Sequence, residues 1–253
     1  SYYGVRVYFP RGSFSSRVLR SQGVFESDNA RLLQGLVRPD TWLFDVGTNI
    51  GLMSVPVLAG VRNSRVLSFE PSSNVLPFLR RTMAESPYGE RWLLMPKAVG
   101  AEEGMVTFNL SESKNSEFDG IQHTNRVPSV RKVKVDMTTI DNEWRRHGSP
   151  KVSVLKCDVE GAELEVLRSA RACLISTRPF VLLEWNRQNF HVYGVTTAEL
   201  LGFVTELGFD VFSIPTLVKI NSLREFELHM IGTENFLLSP RDGPKISNTP
   251  TLA

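Results

Sequence analysis

Apolar residues occur along most of the chain in short runs, and longer amphipathic stretches separate these runs. Such alternation predicts strand–helix–strand units and an α/β fold with a parallel sheet. The predicted core strands are WLFDV (42–46), RVLSF (65–69), WLLMP (92–96), VSVLK (152–156) and FVLLEW (180–185). Two further runs, MVTFNL (105–110) and RKVKVDM (131–137), predict a small additional strand pair. Near the end, FDVFSI (209–214) and ENFLLS (234–239) predict a closing hairpin.

Weaker signals flank the first predicted core strand. YYGVRVYF (2–9) alternates with period two, which predicts a peripheral strand. Ser27 or Asp28 is expected to cap the helix that follows it. After the core strand we expect a helix from about Ile50, and Pro56 should kink or shorten it.

These elements divide the chain into three regions. We expect residues 1–40 to form a strand and a helix appended to the core, and residues 41–239 to form the main domain. Residues 240–253 lack apolar periodicity, so we expect a flexible tail there. Residues 111–129 are the longest other stretch without periodicity, and they predict a lid, a binding loop or a disordered segment.

The composition is that of a globular protein, with 42% hydrophobic and 22% charged residues among 253. A net charge of +2 gives no electrostatic reason to expect a nucleic acid or an anionic membrane as partner. No apolar run approaches the roughly 18 to 20 residues of a membrane span, and no signal peptide opens the chain. Cys157 and Cys173 fit a reducing compartment, so we expect buried thiols and a cytoplasmic location, although a chain that begins at Ser1 is compatible with a missing upstream segment.

The segment DVGTNIG (45–51) joins a predicted strand to a predicted helix. Gly47 permits a tight turn and a close approach of the backbone to a ligand, and Gly51 lets the helix pack on the strand. An ordinary strand-to-helix turn is the alternative, because short glycine motifs have many false matches.

Glu70 favours the cofactor interpretation of this loop. It ends the next predicted strand, about 20 residues after the glycines, where doubly wound folds bind ribose hydroxyls with a carboxylate. The loop lacks the G-x-G-x-x-G pattern that a pyrophosphate requires. S-adenosylmethionine, a nucleoside without phosphates, therefore fits better than NAD.

KCDVEGAELEVL (156–167) places charge at the end of a predicted core strand. Lys156 and Asp158 share one face of the strand, and Glu160 follows just past its end. Open α/β sheets bind ligands at the carboxyl ends of their strands, so these side chains are candidates for a site. Glu163 and Glu165 fall in the first turns of the next helix, where carboxylates are expected to be structural.

The motifs WLFDVGTNIG, SFEPSS, PKAVG, VDMTTID and above all LKCDVEGAELEVL resemble those of the FkbM-type class I S-adenosylmethionine-dependent methyltransferases. The resemblance runs from about residue 26 to 185. It implies a Rossmann-like seven-stranded, mostly parallel sheet with one antiparallel strand and helices on both faces. It also implies methyl transfer to a hydroxyl of a sugar, polyketide or other natural product, or in some members to an amide nitrogen.

Carried over by position, the resemblance implies a cofactor site. Glu70 would bind the ribose, Ala98 would lie near the adenine, and Asp158 would also contact the cofactor. The methionine portion would be held by Asp45, Gly47, Thr48, Asn49 and Gly51. The helix after SFEPSS lacks the asparagine that family members often carry near its end, which weakens the adenine-side comparison.

Methyl transfer to a hydroxyl is helped by a base that accepts the leaving proton. Asp158 or Glu160 can take this role or bind the methionine ammonium, and Glu184, at the end of the fifth core strand, is a further candidate. Lys156 can orient a carboxylate, lower its pKa, or bind an anionic group of the substrate. His123, in the long loop, is the imidazole alternative.

Two further interpretations stay open. Oxygen ligands from Asp158, Glu184 and Asn186 would suit a divalent metal, although catalysis without a metal is favoured. An apolar wall for the acceptor or ordinary core packing would explain Trp185, Phe190 and Tyr193.

The leading hypothesis is an O-methyltransferase that uses S-adenosylmethionine on a small-molecule, glycan or peptide acceptor. N-methylation of an amide, for example in a modified peptide, is the alternative reaction. An NAD-dependent oxidoreductase and a non-catalytic cofactor-binding module are the remaining hypotheses.

Overall fold

The computed structural model describes residues 1–124, 126–128 and 131–243. The strands are β1 (Trp42–Val46), β2 (Arg65–Phe69), β3 (Trp92–Met95), β4 (Ala98–Val99), β5 (Gly104–Leu110), β6 (Arg131–Thr138), β7 (Val152–Cys157), β8 (Phe180–Glu184), β9 (Phe209–Ser213), β10 (Lys219–Ile220) and β11 (Asn235–Pro240). The α-helices are α1 (Phe14–Gln22), α2 (Ser27–Leu36), α3 (Ser54–Gly60), α4 (Leu76–Glu85), α5 (Ile140–Arg146), α6 (Glu163–Ser169), α7 (Arg171–Thr177), α8 (Arg187–Val192), α9 (Thr197–Glu206) and α10 (Leu223–His229). Two 3-10 helices cover Gly89–Arg91 and Ser113–Phe118.

The main sheet of the described chain has the strand order β10-β9-β11-β8-β7-β1-β2-β3. Strands β3, β2, β1, β7 and β8 are parallel, and β11 is inserted antiparallel between β8 and β9. The α/β class and the reversed strand are therefore confirmed. The two predicted last strands pair antiparallel, but β10 and α10 lie between them in the chain, so they do not form the predicted hairpin. The expected count of seven strands is wrong, because β10 adds an eighth strand antiparallel to β9. Strand β10 has only two residues, which is too short to show the period-two pattern by which a strand is predicted.

The order of the strands reverses between β1 and β7. From β1 the chain builds outward through β2 and β3 on one side, and β7 and β8 extend the sheet on the other side. The two neighbouring strands pair in register, with Asp45 opposite Lys156 and Val46 opposite Cys157. Such a reversal opens a crevice at the carboxyl ends of the strands, which is where α/β proteins bind ligands.

Both faces of the sheet are covered by helices. On β1, Leu43 faces a core that includes residues of α2, α3 and α4, whereas Phe44 faces a core that includes residues of α5, α6, α7, α9 and α10. Neighbouring residues of β7 and β8 alternate between these two cores in the same way. Burial on both sides explains why the strands appear as nearly continuous apolar runs.

The predicted additional pair forms a separate small sheet. Strands β5 and β6 are antiparallel, and β4 pairs with β6. The connection between β5 and β6 contains the whole of the predicted loop 111–129. In its described part, Gly120 pairs with Asn109 of β5 through two backbone hydrogen bonds, which fold the loop back toward the sheet.

The predicted N-terminal strand over 2–9 is wrong. Within these residues the structure has only one bridge, between Tyr2 and Val5, because the chain turns at Tyr3 and Gly4 with positive φ angles. Helix α1 was not predicted, although Ser13 caps it by accepting a hydrogen bond from the Ser16 amide.

Other helix starts also differ from expectation. Helix α2 begins at Ser27 behind Glu26 at the N-cap position, which lies in the left-handed region at φ +42° and makes no side-chain cap. Helix α3 begins at Ser54 rather than near Ile50, so that Pro56 lies in its first turn, where a missing N–H is tolerated.

The predicted tail, 240–253, lies mostly outside the described residues. Its described start is held in place, because Pro240 ends β11 and the Arg241 amide donates to the Gly208 carbonyl. Within the described ranges, no helix is both long enough and apolar enough to span a bilayer.

Candidate active site

A cavity of about 410 Å³ lies at the carboxyl ends of β1, β2, β7 and β8, where the strand order reverses. Its lining includes Gly47, Thr48, Asn49, Glu70, Ala98, Lys156, Asp158, Glu160 and Glu184. The structure therefore brings most of the predicted site residues together around one space. Asp45 and Gly51 are buried or packed behind the loop and do not line it.

Gly47 fixes the loop after β1 against the end of β7. Its φ is +74°, and a Cβ atom there would lie 1.7 Å from the main-chain oxygen of Asp158. The amides of Gly47 and Thr48 both donate to the carbonyl of Phe69 at 3.1 Å, which ties the loop to β2 as well. Gly51 packs under the ring of Trp92, where a Cβ atom would lie 2.5 Å away. The first glycine shapes the cavity, and the second allows close packing behind it.

Asp45 supports the loop from beneath. Its carboxylate is fully buried, and Oδ2 accepts hydrogen bonds of 2.6 Å from Thr48 Oγ1 and Ser54 Oγ. Oδ1 lies 3.7 Å from Lys156 Nζ. Asp45 therefore positions the loop, and its expected contact with a methionine group stays a prediction.

Lys156 connects the loop to the end of β7. Its ammonium donates to the Gly47 carbonyl and to Asp158 Oδ2, both at 3.0 Å. Burial alone would lower the pKa of Lys156, but the carboxylates of Asp158 and Asp45 outweigh burial and raise the pKa. Lys156 therefore remains a cation that orients Asp158, which agrees with one of its predicted roles.

Glu70 connects β2 to the same loop. Oε2 accepts from the Asn49 amide at 2.9 Å, and Oε1 accepts from the Ser72 amide at 2.7 Å. Burial raises the pKa of Glu70 to about 7, against the lowering effect of these two hydrogen bonds. The side chain lies on the cavity wall, as its predicted role with a ribose requires.

Three carboxyl groups converge on one side of the cavity. Asp158, Glu160 and Glu184 each place an oxygen within 4.8 Å of the other two. Burial and the nearby Asp158 raise the pKa of Glu160 to about 8, and the same two causes raise the pKa of Glu184 far above its usual range. Glu184 Oε2 is buried and has no hydrogen-bond partner within the described structure. The group suits a ligand that donates protons or carries positive charge.

Glu160 is held in a fixed position although its backbone is in the left-handed region, at φ +59°. Its Oε2 accepts from Arg126 Nη1 at 3.1 Å and from Asn189 Nδ2 at 2.9 Å.

Glu163 accepts from the amides of Val159 and Gly161 with Oε1, so its predicted structural role is confirmed.

Asn186 does not join the carboxyl groups, contrary to the metal-site hypothesis. Its Oδ1 caps α8 by accepting from the Gln188 amide, and its Nδ2 donates to Glu234. Because these contacts occupy both ends of the amide, Asn186 is directed away from the cavity. Glu160 takes the third position instead, and Asp158, Glu160 and Glu184 are the residues that could hold a cation.

Part of the cavity wall comes from residues that the sequence analysis did not name. Phe14, Phe25 and Glu26 reach it from the N-terminal segment, and Phe118 and Asp119 reach it from the loop between β5 and β6. The length of that loop was the signal that predicted a binding role. The N-terminal contacts had no such signal, because they depend on how α1 and α2 pack against distant residues.

The remaining candidates lie elsewhere. His123 is not part of the cavity wall, and its Nε2 lies 2.7 Å from the carbonyl of Val127. Trp185 stacks on Phe190 at 4.5 Å within the core, which favours the packing interpretation. Tyr193 accepts a hydrogen bond from the Gln122 amide and so supports the loop.

Two known methyltransferases are similar to this chain. The curated hexuronic acid methyltransferase AglP of Haloferax volcanii is 28% identical over 161 residues, which cover 63% of this chain and 62% of that protein. A crystal structure of the methyltransferase FkbM from Methylobacillus flagellatus KT matches with a TM-score of 0.51 and 12% identity over 90% of this chain and 60% of that chain. This chain therefore spans less than two thirds of either relative, and the structural match supports the class I Rossmann-like methyltransferase fold.

The family assignment rests on a match to a family model. The Methyltransferase FkbM domain matches residues 45–211, which is more than half of the chain and includes the loop after β1 and the three carboxyl groups. The chain belongs to the FkbM methyltransferase family.

Proposed function

We propose that the protein transfers a methyl group from S-adenosylmethionine to a hydroxyl of a sugar or a related small molecule. The observation that carries the proposal is the single cavity in which the Gly47 loop, Glu70 and the group of three carboxyls meet. A cofactor loop and groups able to take up a proton are both needed for this reaction, and here they border the same space.

The cavity has features that fit S-adenosylmethionine. Gly47 leaves open the space that a side chain would fill, and Glu70 offers a carboxylate at the end of β2 for ribose hydroxyls. Ala98, Val99 and Phe108 form an apolar part of the wall that suits an adenine ring. When bound, this cofactor supplies an electrophilic methyl group on a positively charged sulfur.

Asp158 is the carboxylate best placed to accept the proton of an acceptor hydroxyl. Lys156 Nζ donates a hydrogen bond to its Oδ2 at 3.0 Å, which orients the carboxylate, and its side chain is 35% exposed and lines the cavity. Burial and the nearby Asp158 raise the pKa of Glu160 to about 8 and also raise the pKa of Glu184, which favours the protonated forms of both, and a protonated carboxyl cannot accept the proton of a hydroxyl. In this account they exclude water and bind polar atoms of the acceptor.

A sugar hydroxyl is the favoured acceptor. The FkbM family supports methyl transfer, and the relative that acts on a hexuronic acid supports a sugar substrate.

Two unpaired cysteines, Cys157 and Cys173, are both buried, which supports a reducing compartment such as the cytoplasm.

The proposal is tested by methyl transfer from radiolabelled S-adenosylmethionine to a panel of sugar hydroxyl and peptide amide acceptors. We expect label in at least one sugar and none in the amides. Label only in amides would replace O-methylation by N-methylation. Tight cofactor binding without transfer or slow hydrolysis would support a non-catalytic module.

A further inference from the structure

A second, more open cavity of about 920 Å³ adjoins the first. It lies between the loop that carries Thr124 and Arg126, helix α8, and the segment from Met230 to Glu234 that leads into β11. Arg126 lines both cavities, so the two spaces meet at its side chain. None of the functional roles described above uses this second space.

Arg126 is held at the boundary between the two cavities. Its Nη1 donates to Glu160 at 3.1 Å, and its guanidinium carbon lies 4.5 Å from the centre of the Phe118 ring. Only about a quarter of the side chain is exposed. A guanidinium fixed in this way needs little further ordering to bind a ligand in the second cavity.

Helix α8 supplies a second guanidinium. Arg187 and His191 are four residues apart on α8, so they lie on the same side of the helix, and both line the cavity. Arg187 is exposed and forms no salt bridge with any residue that the structure describes. Glu234, the carboxylate in the same wall, accepts a hydrogen bond from Asn186.

The charges of this cavity favour an anionic ligand. Two arginines and one glutamate line it, and because Arg126 is paired with Glu160, Arg187 is the guanidinium that can match a carboxylate with two parallel N–H groups. A neutral sugar can accept hydrogen bonds from the exposed Arg187 but offers it no opposite charge. A carboxylate on the acceptor would pair with it and would also be kept apart from the carboxyl groups beyond Arg126.

We propose that the second cavity is the acceptor site and that Arg187 binds a carboxylate of a uronic-acid-type sugar. This inference rests on the proposed function and adds the chemical class of the acceptor. The acceptor extends past Arg126, so that its hydroxyl reaches Asp158 in the first cavity. Arg187 sets specificity in this arrangement and takes no part in the chemistry.

Binding rather than turnover tests the proposal. Calorimetry on the full chain with S-adenosylhomocysteine, and again without it, compares methyl β-D-glucuronoside with methyl β-D-glucoside, which lacks the carboxylate. We expect the glucuronoside to bind at least about tenfold more tightly, as one charge-assisted hydrogen-bonded pair predicts. Arg187→Gln should remove this preference, because it removes the charge at an exposed position without disturbing the core.

Arg62→Gln is the matched control, since Arg62 is an exposed arginine at the amino end of β2, the opposite edge of the sheet. It should leave the preference unchanged. Equal affinity for the two sugars, no measurable glucuronoside binding, or a preference that survives Arg187→Gln would overturn the proposal. Glucose 6-phosphate binding more tightly than the glucuronoside would overturn the assignment to a carboxylate. Failure of methyl transfer alone would leave this result intact, because the titration does not depend on turnover.

Discussion

Gly47 and Asp158, which are far apart in the sequence, meet backbone to backbone at the centre of the candidate site. A Cβ atom on Gly47 would lie 1.7 Å from the Asp158 carbonyl oxygen. The loop after β1 and the end of β7 therefore fit together only if residue 47 has no side chain. This contact explains why the glycine motif and the charged motif occur in one chain.

Replacing Gly47 by alanine should both destabilise the protein and abolish cofactor binding. The left-handed backbone alone costs an alanine about 1–3 kcal/mol, and the clash with a main-chain atom adds to this cost. Chemical denaturation gives the free energy of unfolding. Gly148→Ala is the control, because Gly148 has a φ of +81° and no atom of the described chain lies within 4 Å of the position that its Cβ would occupy. Similar losses in the two variants would show that the contact with Asp158 is unimportant.

Lys156→Met should lower the free energy of unfolding by about 3–5 kcal/mol, because it leaves the buried Asp45 without its nearby cation. Adding Asp45→Asn to that variant should restore part of the loss, and urea denaturation of the single and double variants measures the coupling. Lys151→Met, at an exposed position, should have little effect. Strictly additive losses would contradict a direct interaction between Lys156 and Asp45.

Stability should decrease as the pH rises from about 5 to about 8. Burial raises the pKa of Glu70 and Glu163 to about 7 and that of Glu160 to about 8, so the folded chain binds protons that the unfolded chain has already released. The contribution of these groups is fully present below their unfolded pKa of 4.5 and is lost as the pH passes through the folded values.

Glu184→Gln isolates one contributor to this dependence. The amide resembles a protonated carboxyl, so it should raise the free energy of unfolding at pH values near 8 and flatten the decrease. Glu165→Gln is the control, because Glu165 pairs with Arg168 outside the buried group. Denaturation across this pH range makes the comparison. An unchanged slope in Glu184→Gln would contradict the raised pKa of Glu184.

Asp158→Asn should reduce turnover by roughly 10²- to 10⁴-fold, the usual contribution of a general base. Cofactor affinity should change far less, since an amide keeps the shape of the side chain. Steady-state kinetics together with cofactor titration separate the two quantities. Equal losses of turnover and affinity would reassign Asp158 to cofactor binding.

The sequence predicted the elements whose pattern is local. Each core strand is buried on both faces, and its apolar run is visible without knowledge of its neighbours. The loop at Gly47 and the carboxylate of Glu70 were predictable because their spacing follows from one strand–helix–strand unit. The expectation that Lys156 and Asp158 lie on one side is also confirmed, because their side chains contact each other at the end of β7.

The errors concern contacts between distant segments. Nothing near Asn186 shows that its amide caps α8 and bonds to Glu234, and nothing near Glu160 shows that this carboxyl, rather than Asn186, lies with Asp158 and Glu184 as a possible metal ligand. The hydrogen bond from Arg126 to Glu160 likewise joins the loop between β5 and β6 to the segment after β7, and no local pattern predicts it. The N-terminal strand was wrong because an alternating pattern does not reveal a turn at Tyr3 and Gly4.

The central claim is that the cavity at the Gly47 loop binds S-adenosylmethionine, and calorimetric titration of S-adenosylhomocysteine tests it most directly. We predict one-to-one binding to the wild-type chain, at least tenfold weaker binding to Glu70→Gln in line with the loss of about one charged hydrogen bond, and no binding of NADH. Absence of S-adenosylhomocysteine binding to a chain shown to be folded by circular dichroism, or binding of NADH in its place, would contradict the account.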